Sequence, residues 1–213
     1  MQTIRRACWG WTADRMEKAI LARHAESESS ARRLVNGDPA IHVPLTARGR
    51  RQARQLAKAL AKDPIDLCVT SEFRRTVETA DLALEGRGIP RVVMPELGDI
   101  LPGAFEGRGL DEFRAWLRRK GVAAIPPGGG ESRLDTVTRY CRAYRAILDR
   151  PERTVLVVTH GLPVMCAVIA ASGEDLPVVL DRLPYATPYR LSARDLGRAV
   201  EHLQRWVRAI RAA

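Results

Sequence analysis

Nowhere in this 213-residue sequence does an apolar run reach the roughly 20 residues that a bilayer-spanning helix needs. The amino terminus carries Arg5 and Arg6 but only a short Trp-bearing stretch before Asp14 and Arg15. That lacks the continuous apolar segment and cleavage site of a secretory signal. A cytoplasmic protein with no membrane partner is the expectation. Cysteine is sparse. Cys8, Cys68, Cys141 and Cys166 stand far apart, with no C-x-x-C pair and no His at ligand spacing, which argues against a zinc site and a disulfide framework. Cys68 and Cys166 fall in apolar segments and read as small core residues. Lysine is scarce and aromatics make up 5%. The net charge of +10 therefore rests on arginines scattered along the chain. With few aromatics interleaved, the pattern is poor material for a single-strand stacking platform. No nucleic-acid partner is expected.

What is present is globular. Hydrophobic residues are 46% and charged residues 28% of the chain, enough for one domain with a substantial core. Residues 1–15 fit no regular element and read as an extension; residues 16–213 read as the domain. No internal repeat and no long linker divide it.

Residues 18–23 read as a strand, followed by a loop over 25–45 with a turn at Asn36-Gly37-Asp38-Pro39. Thr46 caps a helix that Asp63-Pro64 stops. Residues 65–70 read as a second strand. Ser71 is expected to cap the helix over 72–85, with Arg74 and Arg75 in its first turn, where the helix dipole disfavours cations. A short strand over 91–94 precedes a Gly- and Pro-rich loop bearing Glu96, Asp99 and Glu106. Residues 109–120 read as a helix, and Ser132 caps another that runs to about Leu148, with Tyr140 and Tyr144 on its core face. Residues 154–159 are continuously apolar, as suits a central parallel strand, and lead through His160-Gly161 into a helix. A helical stretch near 175–182, a last strand near 188–192 and a helix over 193–211 are expected. In that last helix Leu196, Val200, Leu203, Val207 and Ile210 share one face, read as docked on the sheet. His42 and His202 carry no motif and read as surface residues. Alternating strands and helices argue for a three-layer α/β/α sandwich with a mostly parallel sheet.

Three strand ends carry chemistry suited to phosphate. One ends in Arg23-His24, another in Ser71 with Arg74 and Arg75 beyond, and the apolar strand in Thr159-His160-Gly161. In a parallel sheet these ends share one edge, where open α/β folds bind ligands. Arginine holds phosphate in a fork, and histidine acts as base or nucleophile.

At these residues the sequence resembles the histidine phosphatase superfamily, the phosphoglycerate mutase-like family. Leu21-Ala22-Arg23-His24-Ala25-Glu26-Ser27 resembles its R-H-G-E-S segment, and Pro44-Leu45-Thr46, Gly49 and Gln52-Ala53 follow in order. Ser71 to Ala80 is similar to S-x-L-x-R-A-x-Q-T-A. Leu97-Gly98-Asp99, Gly103 and Phe105-Glu106-Gly107 resemble L-x-E-x-x-x-G-x-W-E-G. Gly130-Glu131-Ser132 and Val157-Val158-Thr159-His160-Gly161 complete the set, over roughly residues 18–172.

The resemblance implies a phosphoglycerate mutase-like fold and a phosphomonoesterase acting on a small phosphorylated metabolite. His24 would form a phosphohistidine. Arg23 and Arg75 would neutralise phosphoryl oxygens, with Arg75 rather than Arg74 selected by the motif. His160 would be a further phosphate ligand beside Gly161, with cationic neighbours opposing its protonation and the bound phosphate favouring it. Asp99 would act as general acid, with Glu106 its rival and otherwise a structural loop acid. Ser30 falls where mutase members often carry asparagine. Asn36 and Gly37 fall where they carry a substrate-contacting Thr-Gly, or form a simple turn. Ala25 replaces the family's glycine and requires a negative φ. By fold analogy Thr187 and Tyr189 reach the site. No cofactor or metal is required, because arginines supply the positive charge; a homodimer is left open. The rival readings are a cofactor-dependent phosphoglycerate mutase, a protein phosphohistidine phosphatase and a catalytically silent phospho-ligand binding module. The short span of residues 108–129 between the acid loop and Gly130-Glu131-Ser132 favours a phosphatase over a mutase.

Overall fold

The computed structural model describes residues 16–180 and 182–212; the expected extension over 1–15, with Cys8, lies outside them. Five strands form one sheet: β1 (Lys18–Arg23), β2 (Leu67–Thr70), β3 (Arg91–Val93), β4 (Thr154–Thr159) and β5 (Pro188–Ser192). Their order is β3-β2-β4-β1-β5. All neighbours are parallel except β5, which runs antiparallel to β1. β4 lies at the centre, and every one of its residues is buried, as its unbroken apolar run demands.

Side chains alternate across each strand, so the two faces feed different cores. Ala19, Leu21, Val69, Val155 and Val157 point to one face, under α5 (Arg133–Leu148), α6 (Gly161–Ser172) and α7 (Ala193–Ala212). Ile20, Ala22, Cys68, Leu156 and Val158 point to the other, under α2 (Ala47–Ala59) and α3 (Arg74–Ala83). The result is a three-layer α/β/α sandwich. Tyr140 and Tyr144 are fully buried, and Leu196, Val200, Leu203 and Val207 dock α7 as its apolar stripe requires. Thr46 and Ser132 cap α2 and α5 through their hydroxyls.

A third, smaller apolar cluster stands off the sheet. Phe113, Trp116 and Leu117 of α4 (Leu110–Lys120) pack with Val35, Ile100 and Phe105. This cluster ties the loop after β1, which contains α1 (Glu28–Ala31), to the loop after β3. Together they wall the carboxyl edge of the sheet.

Two local expectations are corrected. Residues 174–180 form no helix. Gly173 ends α6 in the left-handed conformation, and Pro177 removes a backbone donor from the segment. Leu180, at the end of this segment, lines the cavity. Ser71 does not cap α3, whose N-cap is Phe73 with no side-chain bond. Ser71 lies too far ahead of the first helical residue, and its hydroxyl turns into the site.

Candidate active site

A cavity opens at the carboxyl ends of β1, β2 and β4, lined by Arg23, His24, Arg75, Asp99 and Gly161 among others. β1 delivers His24 just beyond its last residue, held by its N–H donating to Thr159 O at 2.7 Å. Ala25 is not among the described residues with positive φ, so alanine fits where the family has glycine. Its N–H donates to Thr79 Oγ1 at 3.0 Å.

The imidazole of His24 is 4% exposed. Nδ1–H donates to Ala25 O at 2.7 Å, which leaves Nε2 with its lone pair facing Arg75. Arg75 Nε donates to that nitrogen at 3.2 Å. Since arginine only donates, Nε2 must be unprotonated. Burial, then the positive charges of Arg75 and Arg23, hold His24 well below the usual histidine range.

Arg75 is the hub. Its Nη1 donates to Asn36 Oδ1 at 2.6 Å and its Nη2 to Asn36 O at 3.0 Å. Nη2 also reaches His160 Nδ1 at 3.0 Å and Asp99 Oδ2 at 3.5 Å. Its guanidinium lies 4.2 Å from the centroid of Phe73. Burial lowers its pKa to about 10, with Asp99 opposing, so it stays cationic at neutral pH. Arg74, its neighbour, is exposed and does not line the cavity.

His160 is fully buried. Accepting from Arg75 at Nδ1 obliges it to donate through Nε2, and Ser71 Oγ stands 2.8 Å away to accept. Burial, and then Arg75, keep its pKa well below the ordinary value. Accepting from Arg75 at Nδ1 and buried beside His24, the ring is neutral in this arrangement. Behind it Gly161 begins α6, where an added Cβ would stand 3.5 Å from Arg23 Nε.

Arg23 stacks on Tyr185 at 4.0 Å and donates through Nη1 to Leu183 O at 2.8 Å. Its Nε is buried without a partner among the described residues. A buried unpaired donor carries a desolvation cost that an anion at this point would offset.

Asp99 is 30% exposed, with Oδ2 3.5 Å from both Arg75 Nη2 and His160 Nδ1. Its loop is fixed from behind. Arg139 donates to the carbonyls of Glu96, Gly98 and Asp99 while its guanidinium pairs with Glu131. Tyr140 OH also donates to Gly98 O. Glu106 faces elsewhere and accepts from Gly37 N at 2.7 Å and Asp38 N at 3.0 Å. Its contacts are those of a loop-bracing acid. Gly37 is required because an added Cβ would lie 2.2 Å from Ile100 O. Asn36 serves chiefly as a seat for Arg75. Ser30 lines the cavity, its Oγ held in a capping box with Ser27.

Thr187 and Tyr189 do not line the cavity. Tyr189 is drawn into β5, paired with Leu21. Tyr185 takes the place expected of them. It went unmarked in the sequence, as did Ser71 in its bond to His160 and the lining residues Arg33, Arg114, Arg133 and Arg182. Among the described residues no group of three or more His, Cys, Asp or Glu is placed to hold a metal ion.

At the strand ends of this α/β sandwich His24 and His160 both meet Arg75, and Asp99 stands 3.5 Å from Arg75 and His160. The chain belongs to the histidine phosphatase superfamily (branch 1), whose profile matches residues 19–205. It is 34% identical over 175 residues to a Cronobacter sakazakii protein named "Probable phosphoglycerate mutase GpmB", covering 78% of this chain and 79% of that one. Among solved structures it is similar to the alpha-ribazole phosphatase of Shigella flexneri, at 26% identity and TM-score 0.70, covering 81% of this chain and 89% of that one. It is also similar to the mycobacterial glucosyl-3-phosphoglycerate phosphatase solved with VO3, at 26% identity and TM-score 0.68, covering 83% and 92%. Superfamily and relatives indicate phosphatase or mutase activity. No helix among the described residues is long and apolar enough to cross a membrane.

Proposed function

We propose that this chain is a metal-independent phosphomonoesterase that hydrolyses a small phosphorylated metabolite through a phosphohistidine on His24. The observation that carries the reading is the fixed tautomer of His24, with Nδ1–H tied to Ala25 O and the Nε2 lone pair directed at Arg75. In the first step Nε2 attacks phosphorus, the P–O bond to the leaving alcohol breaks, and the alkoxide takes a proton from Asp99. In the second, water attacks the phosphohistidine, gives its proton to the Asp99 carboxylate, and inorganic phosphate leaves. Arg23 and Arg75 face the phosphoryl oxygens and stabilise the charge that develops on them, and His160 adds a further donor where the bound phosphate protonates its Nδ1. Hydrolysis of 4-nitrophenyl phosphate tests this. The wild-type protein turns it over and His24→Ala does not; equal rates in both sink the proposal.

The names of the curated relatives favour a second reading, a phosphoglycerate mutase. The same phosphohistidine would then return its phosphoryl group to substrate rather than to water. Interconversion of 3- and 2-phosphoglycerate faster than hydrolysis of any ester would establish it in place of the phosphatase.

A further inference from the structure

Beyond the phosphoryl end, the cavity has a second wall with no assigned role. Arg133, the first residue of α5, lines it and is only 7% exposed. Its Nε has no hydrogen-bond partner among the described residues, and its Nη1 makes one long contact, 3.4 Å, to Pro177 O. No carboxylate among the described residues forms an ion pair with it, a condition it shares with Arg23 at the phosphoryl end, whereas Arg75 and Arg139 are both paired. It also stands at the positive end of a helix dipole, where a cation is disfavoured. Desolvated and set against that dipole, it finds no compensating anion among the described residues.

The neighbours add to the same sign. Arg114 of α4 is partly buried, lines the cavity and uses Nη2 on Leu180 O at 2.9 Å. Arg182 also lines the cavity, close enough for its charge to lower the pKa of Arg114, though burial is the larger cause. Neither is in an ion pair among the described residues. Arg33 differs, being already paired with Asp111. Apolar Phe113 and Leu117 line the same wall.

We propose that Arg133, with Arg114 and Arg182, forms a second anion subsite. The substrate then carries a carboxylate or phosphate on its leaving portion, in addition to the phosphoryl group delivered to His24. This deepens the phosphatase reading and rests on it for the first anion. A neutral sugar or alcohol leaving group would leave the buried guanidinium of Arg133 unsatisfied.

Calorimetric titration tests the subsite without turnover. The probes are short alkylphosphonates of graded length, each compared with its ω-carboxylate and its ω-phosphonate at constant ionic strength. The expected result is that the two-anion probe of the best length binds at least about tenfold tighter than its one-anion parent, as two charge-assisted forks should give. The length series and the two end groups show which anion fits. That advantage should collapse in Arg133→Met and weaken in Arg182→Ala, an exposed site where folding is not at stake. Equal binding of one- and two-anion probes, or an advantage untouched by both substitutions, overturns the proposal. Inactivity of the wild-type protein on every ester would overturn the phosphatase reading alone, because the titration still decides the subsite.

Discussion

Arg75 Nε donates to His24 Nε2 at 3.2 Å, so the residue expected to stabilise the phosphoryl group also holds the nucleophile's lone pair in place. The same guanidinium donates to His160 Nδ1 at 3.0 Å. One planar group thereby fixes the tautomers of both histidines. Lysine has one point charge and no fork. Arg75→Lys is expected to lower kcat/KM on aryl phosphates by about 10²–10³-fold, the scale for removing a transition-state donor, and Arg75→Ala by more. Steady-state kinetics with a thermal melt separate this from unfolding; a loss below about tenfold would show that the guanidinium does not act on the transition state.

Burial and nearby cations lower the pKa of both His24 and His160 well below the usual histidine value, about 6.5 when unperturbed. The unfolded chain therefore binds protons that the folded chain refuses. By linkage, stability is at its full value above about pH 6.5 and falls as pH drops from there toward the depressed folded values. A melting temperature that declines through this window, with a shallower decline in His160→Gln, is the expected outcome. Activity should persist below pH 6.5, since His24 stays neutral there. An acid limb centred on the ordinary histidine value would contradict the assignment.

The two acids should separate by leaving group. Asp99→Asn removes the proton donor, so alkyl phosphates, whose alkoxides need the proton, should lose about 10²–10⁴-fold in kcat. 4-Nitrophenyl phosphate, with its good leaving group, should lose less. Glu106→Gln disturbs the turn at Gly37 and Asp38. Its effect should be on stability and equal for both ester classes. Leaving-group dependence in Glu106→Gln and none in Asp99→Asn would reverse the roles.

Much of this was legible in the residues. The strands stood out because apolar runs end at Arg23-His24, Ser71 and His160, and the caps because Thr46 and Ser132 precede helical patterns. Arg23, His24 and His160 could be named because they sit at strand ends, where topology brings them together, and Arg75 because it lies in the first turn of the helix after β2. The failures have physical causes. Pro177 breaks a segment whose composition otherwise suits a helix. Ser71 looks like a cap by position, yet its hydroxyl is claimed by His160. Tyr185 lies in an irregular segment that no periodicity marks. The arginines of the far wall were hidden by abundance: burial and an unpartnered Nε mark Arg133, as they mark Arg23, and neither property can be read from sequence.

Gly37 offers a structural test of the turn that carries Asn36 to Arg75. A Cβ there would lie 2.2 Å from Ile100 O and 2.4 Å from Pro102 Cδ. Backbone must move to admit it, so Gly37→Ala should destabilise by about 1–3 kcal/mol and lower activity by displacing Asn36. Urea unfolding and kinetics check both; unchanged stability would show that the loop after β3 is not packed on this turn.

The central claim is that His24 Nε2 carries the phosphoryl group. Rapid acid-free denaturation during turnover of a 32P-labelled ester, followed by peptide mapping, tests it most directly. The expected result is label on the peptide containing His24, stable in base and labile in acid, and absent in His24→Ala. Turnover with label on another residue, or with none on the protein under conditions that preserve phosphohistidine, would contradict it.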